Sequence, residues 1–416
     1  MVTVKILSEN VDEDRPLRVL MVHNHYLVRG GEDASFAAEC ELLRSAGHEV
    51  EVYVRENEEI EQQGRLRTAV GTFWSRQSRR EGAGILAAGS FDVLHVQNSF
   101  PLISPSVYGA AQDAGVAVVQ TLRNYRPLCA SALFLRAGEH CELCLGKTVG
   151  WGGLRYRCYR GSLPGSAVVV GMNALHKLRG TYPREVNRFI VAAEIVRRKF
   201  LEGGFPEDRI RVKPNVVPDL PDLQPGPRQK RPIYVGRYSE EKGVEPLLQS
   251  WVEGRIEVPL VMVGSGPLEE KLRAMTAGNP LVTFAGRLPV AEACREIAES
   301  ELLILPTQCY ETFGRTVLEA YAMGTAVISS RGTAPGDLVR EEETGYLVEP
   351  GNVESLTSAK KRYFSLPGRS REAMGQRALA CYRAHFDRKS NLERLTAIYR
   401  EAIADAEAAR GRTGSR

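Results

Sequence analysis

The chain contains no run of about 18 apolar residues, the length at which a helix reaches across a bilayer, so no spanning helix is expected. Nor does it open on a basic stretch followed by an apolar one. Met1 to Pro16 carries Glu9, Asp12, Glu13 and Asp14, which predicts a disordered extension over 1–16 and no export signal. Without export, the eight cysteines read as reduced thiols or metal ligands rather than disulfides. H-E-x-x-H, G-x-S-x-G and the Walker lysine loop are all missing, which disfavours a metalloprotease, a serine hydrolase and a P-loop ATPase. Excess charge of one sign is also scarce. The 55 Lys and Arg against 51 Asp and Glu leave +4, too little to argue for nucleic acid as a partner.

What is present is ample for a folded enzyme. With 416 residues, 43% hydrophobic and 25% charged, the chain can build two domains with separate cores. Apolar segments short enough to be buried strands alternate with helical patterns. Leu17–His23, Glu49–Val54, Phe91–Asn98, Val116–Leu122 and Arg188–Ala192 predict strands of a first parallel sheet, with helices over Asp33–Ala46, from Pro105 to Gly115, over Ser166–Leu178 and over Ile195–Leu201. Residues 55–82 are polar and show no clean period, which predicts a variable helix and loop region. The stretch 217–231 is rich in Pro, Gln and Asp and predicts a linker. Beyond it Pro232–Val235, Leu260–Val263, Leu281–Ala285, Leu302–Leu305 and Ala326–Ser329 predict a second sheet. The division is therefore 17–216 and 232–386, with a last helical segment, 387–416, whose apolar spacing over Leu392–Ala404 suits packing back on the first domain. The expected class is α/β, two Rossmann-like domains facing across a cleft.

The run Cys309 to Glu319 follows a buried strand and enters a helix, so it lies at a strand-to-helix turn. In an open parallel sheet such turns face the ligand, and helix N-termini there offer N–H groups to anions. Arg237 and Lys242 are five residues apart across a turn bounded by Gly236 and Gly243, so both cations can converge on a diphosphate, the arginine as a fork and the lysine as a point charge. Gly30 and Gly31 open a helix in the first domain and permit close backbone approach at the cleft.

Three motifs occur in order at such turns: Val235-Gly236-Arg237-Tyr238-Ser239-Glu240-Glu241-Lys242-Gly243, Val263-Gly264-Ser265-Gly266, and Glu311-x-Phe313-Gly314-x4-Glu319. Together they resemble the nucleotide-sugar half of the family-4 retaining glycosyltransferases, which have the two-domain GT-B fold. The resemblance implies transfer of a glycosyl group from a nucleoside diphosphate sugar to an acceptor hydroxyl with retention, in polysaccharide, lipopolysaccharide or glycolipid assembly. It implies that Arg237, Lys242 and Glu311 carry catalysis, Glu311 holding sugar hydroxyls and Glu319 the ribose. Gly30, Gly31, Gly236, Gly264, Gly266, Arg287, Phe313, Gly314, Arg315 and Thr316 would complete the donor site, Arg287 beside the base. No catalytic metal is implied, because the two cations replace it.

On the acceptor side the resemblance points to His95, Asn98, Arg123 and Asn124. Relatives commonly carry His-x-His where this chain has His95 and Gln97, and Thr-x-His-Asn where it has Thr121-Leu122-Arg123-Asn124. Arginine cannot act as a base. Facing the cleft, Arg123 would hold an anion; otherwise it makes a salt bridge. A non-hydrolysing nucleotide-sugar epimerase, or an inactive sugar-nucleotide-binding subunit, are the alternatives.

An insertion over 124–164 carries Cys129, Cys141, Cys144 and Cys158, spaced C-x11-C-x2-C-x13-C. Four soft thiolates suit a closed tetrahedral Zn²⁺ site; unliganded thiols, an iron–sulfur cluster or a redox pair are the other readings. From Trp151 to Phe200 ten Arg or Lys stand against two Glu, beside Trp151, Tyr156 and Tyr159. That predicts attachment to an anionic membrane surface, and so a cytoplasmic enzyme peripheral on the inner face of the membrane with a glycan or lipid-linked acceptor.

Overall fold

The computed structural model describes residues 15–27, 30–217, 226–255 and 257–413, with side chains to 411. Most of the predicted extension and residues 218–225 of the predicted linker lie outside the described residues, as does Arg29 beside the glycine pair.

The first domain holds strands β1 (Arg18–His25), β2 (Glu49–Glu56), β3 (Val93–Asn98), β4 (Ala117–Thr121), the short β5 (Leu135–Arg136) and β6 (Glu139–His140), then β7 (Arg188–Val191) and β8 (Ile210–Val212). The second holds β9 (Gln229–Val235), β10 (Leu260–Val263), β11 (Val282–Gly286), β12 (Ser300–Leu305), β13 (Ala326–Ser330) and β14 (Gly345–Val348). Two six-stranded parallel sheets result, ordered β2-β1-β3-β4-β7-β8 and β11-β10-β9-β12-β13-β14, while β5 and β6 form an antiparallel hairpin. Central strands such as β3, β4, β10 and β13 are buried along their whole length, because helices cover both sheet faces. The edge strand β2 instead alternates in its second half, exposing Val52 and Val54 while burying Tyr53 and Arg55.

Two expectations need correction. Residues 55–82 form three ordered helices, Glu59–Gln63, Arg65–Phe73 and the start of Arg76–Ala88. Strand β9 begins at Gln229, so the last three residues of the predicted linker belong to the strand, Gln229 lying opposite Ser300 of β12. The charge excess after Trp151 is also partly spent inside the molecule. Arg188 pairs with Glu401 and Asp405, Arg197 with Glu194 and Glu207, and Lys199 with Glu142 and Glu202.

The helix Arg388–Thr413 returns to the first domain, where Leu395, Ile398, Tyr399 and Ala402 are buried against β1, β3 and β4. The domains also touch directly around the cleft. Thr312 Oγ1 donates to the Arg123 carbonyl at 2.7 Å, and Asp337 accepts the Ile195 N–H at 3.2 Å. Val217 packs with Phe313 and Leu318.

Candidate functional site

The carboxyl ends of the two sheets face each other across a cavity of about 340 Å³. Its second-domain wall is built from two turns. The first, after β9, carries Gly236, Arg237 and Lys242, and glycines decide where it lies. Gly243 has φ +66°, and a Cβ there would stand 1.9 Å from the Pro306 carbonyl; Gly264 has φ +142°, and a Cβ would meet the Gly236 carbonyl at 1.8 Å. Gly266 allows the same close approach to the backbone of Tyr238. Gly264 and Gly266 thus seat the Arg237 turn; they do not themselves line the cavity.

The second turn, after β12, carries Glu311, Thr312 and Phe313 into the helix Arg315–Ala322. Gly314 caps this helix without a side chain, and among the described residues the N–H groups of Arg315 and Thr316 find no acceptor. Both residues line the cavity, so it is faced by a helix N-terminus ready for an anion. Gly314 is required by packing, since a Cβ would lie 2.8 Å from Pro335 Cα.

The charges are arranged unequally. Arg237 is exposed and has no ion-pair partner among the described residues. Lys242 Nζ donates to Glu311 Oε1 at 2.5 Å, both side chains being about one-fifth exposed. Burial works against the ammonium, yet the Glu311 carboxylate outweighs it and holds Lys242 above the ordinary lysine range. The other Glu311 oxygen is buried without a partner among the described residues. Glu319 lies one layer behind, paired with Arg315 at 2.8 Å. Burial pushes its carboxyl up, with Arg315 opposing. Arg287, at the exit of β11, is exposed and lies outside the cavity lining.

The first-domain wall is the start of the helix Gly31–Ser45. Nothing lies within 4 Å of a Cβ placed on Gly30 or Gly31, so both face open space. Asp33 anchors them: Oδ2 accepts the Gly30 N–H at 2.9 Å, while Oδ1 meets His23 Nε2 at 3.0 Å and His25 Nδ1 at 2.7 Å. Although burial opposes it, these bonds hold the Asp33 carboxyl well below its usual range.

Of the residues expected on the acceptor side, only Arg123 and Asn124 reach this wall. His95 is fully buried, with Nδ1 against Tyr399 Oη and Nε2 against Thr121 Oγ1, both at 2.7 Å. Asn98 is spent on the Asn24 carbonyl and the Phe100 N–H. Arg123 borders the cavity but its fork is occupied, by Glu39 at 2.8 Å and by Gln97 and Asn215 at 2.5 Å. Lys213 joins Glu39 from the other side at 3.1 Å. Burial would raise the Glu39 carboxyl, but Lys213 and Arg123 drive it down to about 2. Arg123 therefore belongs to a buried ion triad beneath the cleft floor.

Sequence reasoning missed Glu32. It lines the cavity opposite Arg237 and Lys242, held by Asn124 Nδ2 at 3.1 Å and Tyr26 Oη at 3.3 Å. Burial pushes its carboxyl up, with the Asn124 hydrogen bond the main opposing influence. The signal was its place directly after the glycine pair, at the first turn of a helix facing the cleft.

The four insertion cysteines are free thiols grouped around the short helix Trp151–Arg155. Among the described residues, the only group of three or more possible ligands with ligand atoms within 4.8 Å of one another is His23, His25 and Asp33.

Comparison with known structures defines the class. The crystal structure of Anabaena Alr3699/HepE in complex with UDP matches 92% of this chain and 99% of its own, at a TM-score of 0.64 and 14% identity. Sucrose-phosphate synthase from Thermosynechococcus elongatus matches 94% and 100%, at 0.67 and 17%. The chain thus has the two-domain GT-B fold over nearly its whole described length. Residues 229–365, most of the second domain, match the family described as "Glycosyl transferases group 1". Sulfoquinovosyl transferase SQD2 of Arabidopsis thaliana is 33% identical over 36% of this chain and 30% of its own length. The phosphatidyl-myo-inositol mannosyltransferase of Mycobacterium leprae is 30% identical over 44% and 50%. The chain spans no more than half the length of these curated relatives.

Proposed function

We propose that this chain is a retaining glycosyltransferase that moves a sugar from a nucleoside diphosphate sugar to a hydroxyl of a glycan or lipid-linked acceptor. The observation that carries the reading is the cavity wall in which the unpaired Arg237, the charged Lys242 and the open N-terminus of the helix Arg315–Ala322 converge. A departing diphosphate needs preorganised positive charge and N–H donors, and that wall supplies both without a catalytic metal. Glu311, aligned by Lys242 and with one oxygen unpartnered, would take hydroxyls of the transferred sugar. The leaving phosphate would receive the acceptor proton. Glu32, on the opposite wall, would meet the acceptor.

Peripheral attachment to an anionic membrane surface forms part of the proposal, and a second exposed face, which shares Arg179 with the basic stretch 151–200, supports it. The helix Arg65–Phe73 exposes Leu66 and Val70, which are 86% and 73% accessible. Together with Trp74, Arg67, Arg76 and Arg179 they line an open groove, and these three arginines have no ion-pair partner among the described residues. Apolar side chains flanked by unpaired cations suit an anionic headgroup layer. The site of action would then be the cytoplasmic face of a membrane.

The test is thermal shift against a panel of nucleoside diphosphates and their sugars, since a ligand that binds the folded state raises its melting temperature by mass action. One nucleoside diphosphate series is expected to stabilise the protein, and Arg237→Ala to abolish the shift. A parent protein indifferent to the whole panel would remove the donor assignment.

A further inference from the structure

The insertion between β4 and the helix Leu163–Arg179 is organised around sulfur. Cys141 follows directly on β6, its N–H bonded to the Phe134 carbonyl at 2.8 Å. Cys144 comes three residues later in a turn that closes at Gly146, with φ +71°. The Cys144 sulfur accepts the Gly153 N–H at 3.2 Å. A Cβ on Gly150 would come within 3.2 Å of that sulfur, and one on Gly152 within 3.3 Å. The run Gly150-Trp151-Gly152-Gly153 is therefore cleared around one sulfur atom. Cys158 stands at the other end of the same helix, its sulfur 4.0 Å from the Gly152 carbonyl. Cys129 enters through its neighbour Ala130, whose Cβ lies 3.0 Å from the Cβ position of Gly153.

The alternative ligand group, His23, His25 and Asp33, is held together as a hydrogen-bonded clasp, with His23 Nδ1 buried without a partner among the described residues. Asp33 gives one oxygen to the Gly30 N–H and the other to both imidazoles. The sulfurs, in contrast, have neither paired as disulfides nor met at ligand spacing. Four soft donors from separate segments of one small lobe suit a closed tetrahedral site for a borderline-soft divalent ion.

We propose that Cys129, Cys141, Cys144 and Cys158 bind one Zn²⁺ as thiolates, each giving up its proton to solvent, and that the ion braces the insertion against the second domain at Tyr310. The brace is visible in the contacts next to the ligands. His140, beside Cys141, stacks on the Tyr310 ring at 4.1 Å between centroids and 27° between planes. Phe134 meets the same ring edge-on at 6.0 Å. Glu142, between Cys141 and Cys144, pairs with Lys199 at 2.7 Å, and Lys199 lies 4.9 Å over the Tyr310 ring. Tyr310 immediately precedes Glu311. Zinc would thus fix the hairpin that holds the turn presenting Glu311 to the cavity.

The experiment needs no sugar donor. The full chain, purified without chelator, is assayed for metal by elemental analysis and for free thiols by native titration. About one zinc per chain is expected, with the four insertion thiols protected until the ion is stripped. The double variant Cys144→Ser/Cys158→Ser should lose the metal, and His25→Ala should keep it. Hydrogen exchange should rise at residues 309–313 after stripping. A metal-free protein with all four thiols reactive, zinc lost in His25→Ala but retained in the cysteine variant, or a disulfide among the four would each overturn the site. Zinc removal that left exchange at 309–313 unchanged would overturn the brace. Should the double variant fail to fold, the zinc content and thiol protection of the parent protein decide.

Discussion

Arg237 and Arg123 are both arginines at the cleft, yet the structure assigns them opposite fates on substitution. Arg237 has no partner to strand, so Arg237→Ala should lower turnover by about 2–4 kcal/mol of transition-state stabilisation and leave the melting temperature alone. Arg123→Ala would leave Glu39 paired with Lys213 but strip the guanidinium from Gln97 and Asn215 in a buried site, which costs about 1–3 kcal/mol of stability for each group left unsatisfied. Steady-state kinetics and denaturant titration on both variants check the contrast; a stable, inactive Arg123→Ala would return that residue to the binding surface. Glu311→Gln should slow transfer while leaving affinity for the free nucleoside diphosphate near its parent value, as calorimetry can measure. A loss of nucleotide affinity would instead give Glu311 to the nucleotide. The donor side was readable because Gly236, Arg237, Lys242 and Gly243 sit in one short turn, where spacing alone brings groups together. The acceptor side was not. Arg123 and Glu39 are 84 residues apart, and no local pattern reveals that a carboxylate waits there to neutralise the guanidinium.

At the level of single elements, the helix Val353–Ser365 buries a lysine. Lys360 is inaccessible, its ammonium bonded to Ser250 Oγ and lying 4.4 Å over the Trp251 ring. Burial, with the neighbouring Lys361, lowers it to about 7 from 10.5. Between those values the unfolded chain binds more protons than the folded one, so this residue makes stability rise with pH across that window; below about 7 the full cost of a buried cation is present. Lys360→Met is therefore expected to stabilise the protein at pH 6.5 by about 1–4 kcal/mol and to flatten the rise from pH 7 to 10.5. Equal pH slopes for the two proteins would show that the lysine does not titrate in that window. Elements were legible where burial is one-sided or complete. Strand β10 and the Leu302–Leu305 stretch of β12 stand out because unbroken apolar runs are what two covered faces demand. The helix Arg65–Phe73 escaped because Leu66 and Val70 point away from the core, which removes the period that marks a core-facing helix. The start of β9 escaped because Gln229 and Lys230 pair through backbone alone, their side chains exposed.

For the molecule as a whole, that same outward helix carries the membrane prediction. In co-sedimentation the protein should bind anionic vesicles at low salt, weaken at high salt and ignore neutral vesicles. Each of Arg67, Arg76 and Arg179 is expected to contribute about 1 kcal/mol, and Leu66→Ser/Val70→Ser to reduce binding further. Binding indifferent to lipid charge would leave a soluble acceptor as the better reading. The helix Arg388–Thr413 bears on how the chain is made. Its Leu395, Ile398, Tyr399 and Ala402 complete the core beneath β1, β3 and β4, and its Tyr399 hydroxyl meets His95. During synthesis the second domain thus has every strand it needs before the first domain has its last core residues. The earlier-made half must wait on the ribosome with an apolar strip uncovered, and the later-made half folds ahead of it. A chain released at residue 386 would expose that strip to chaperones, whereas one released with the helix Arg388–Thr413 in place would have covered it.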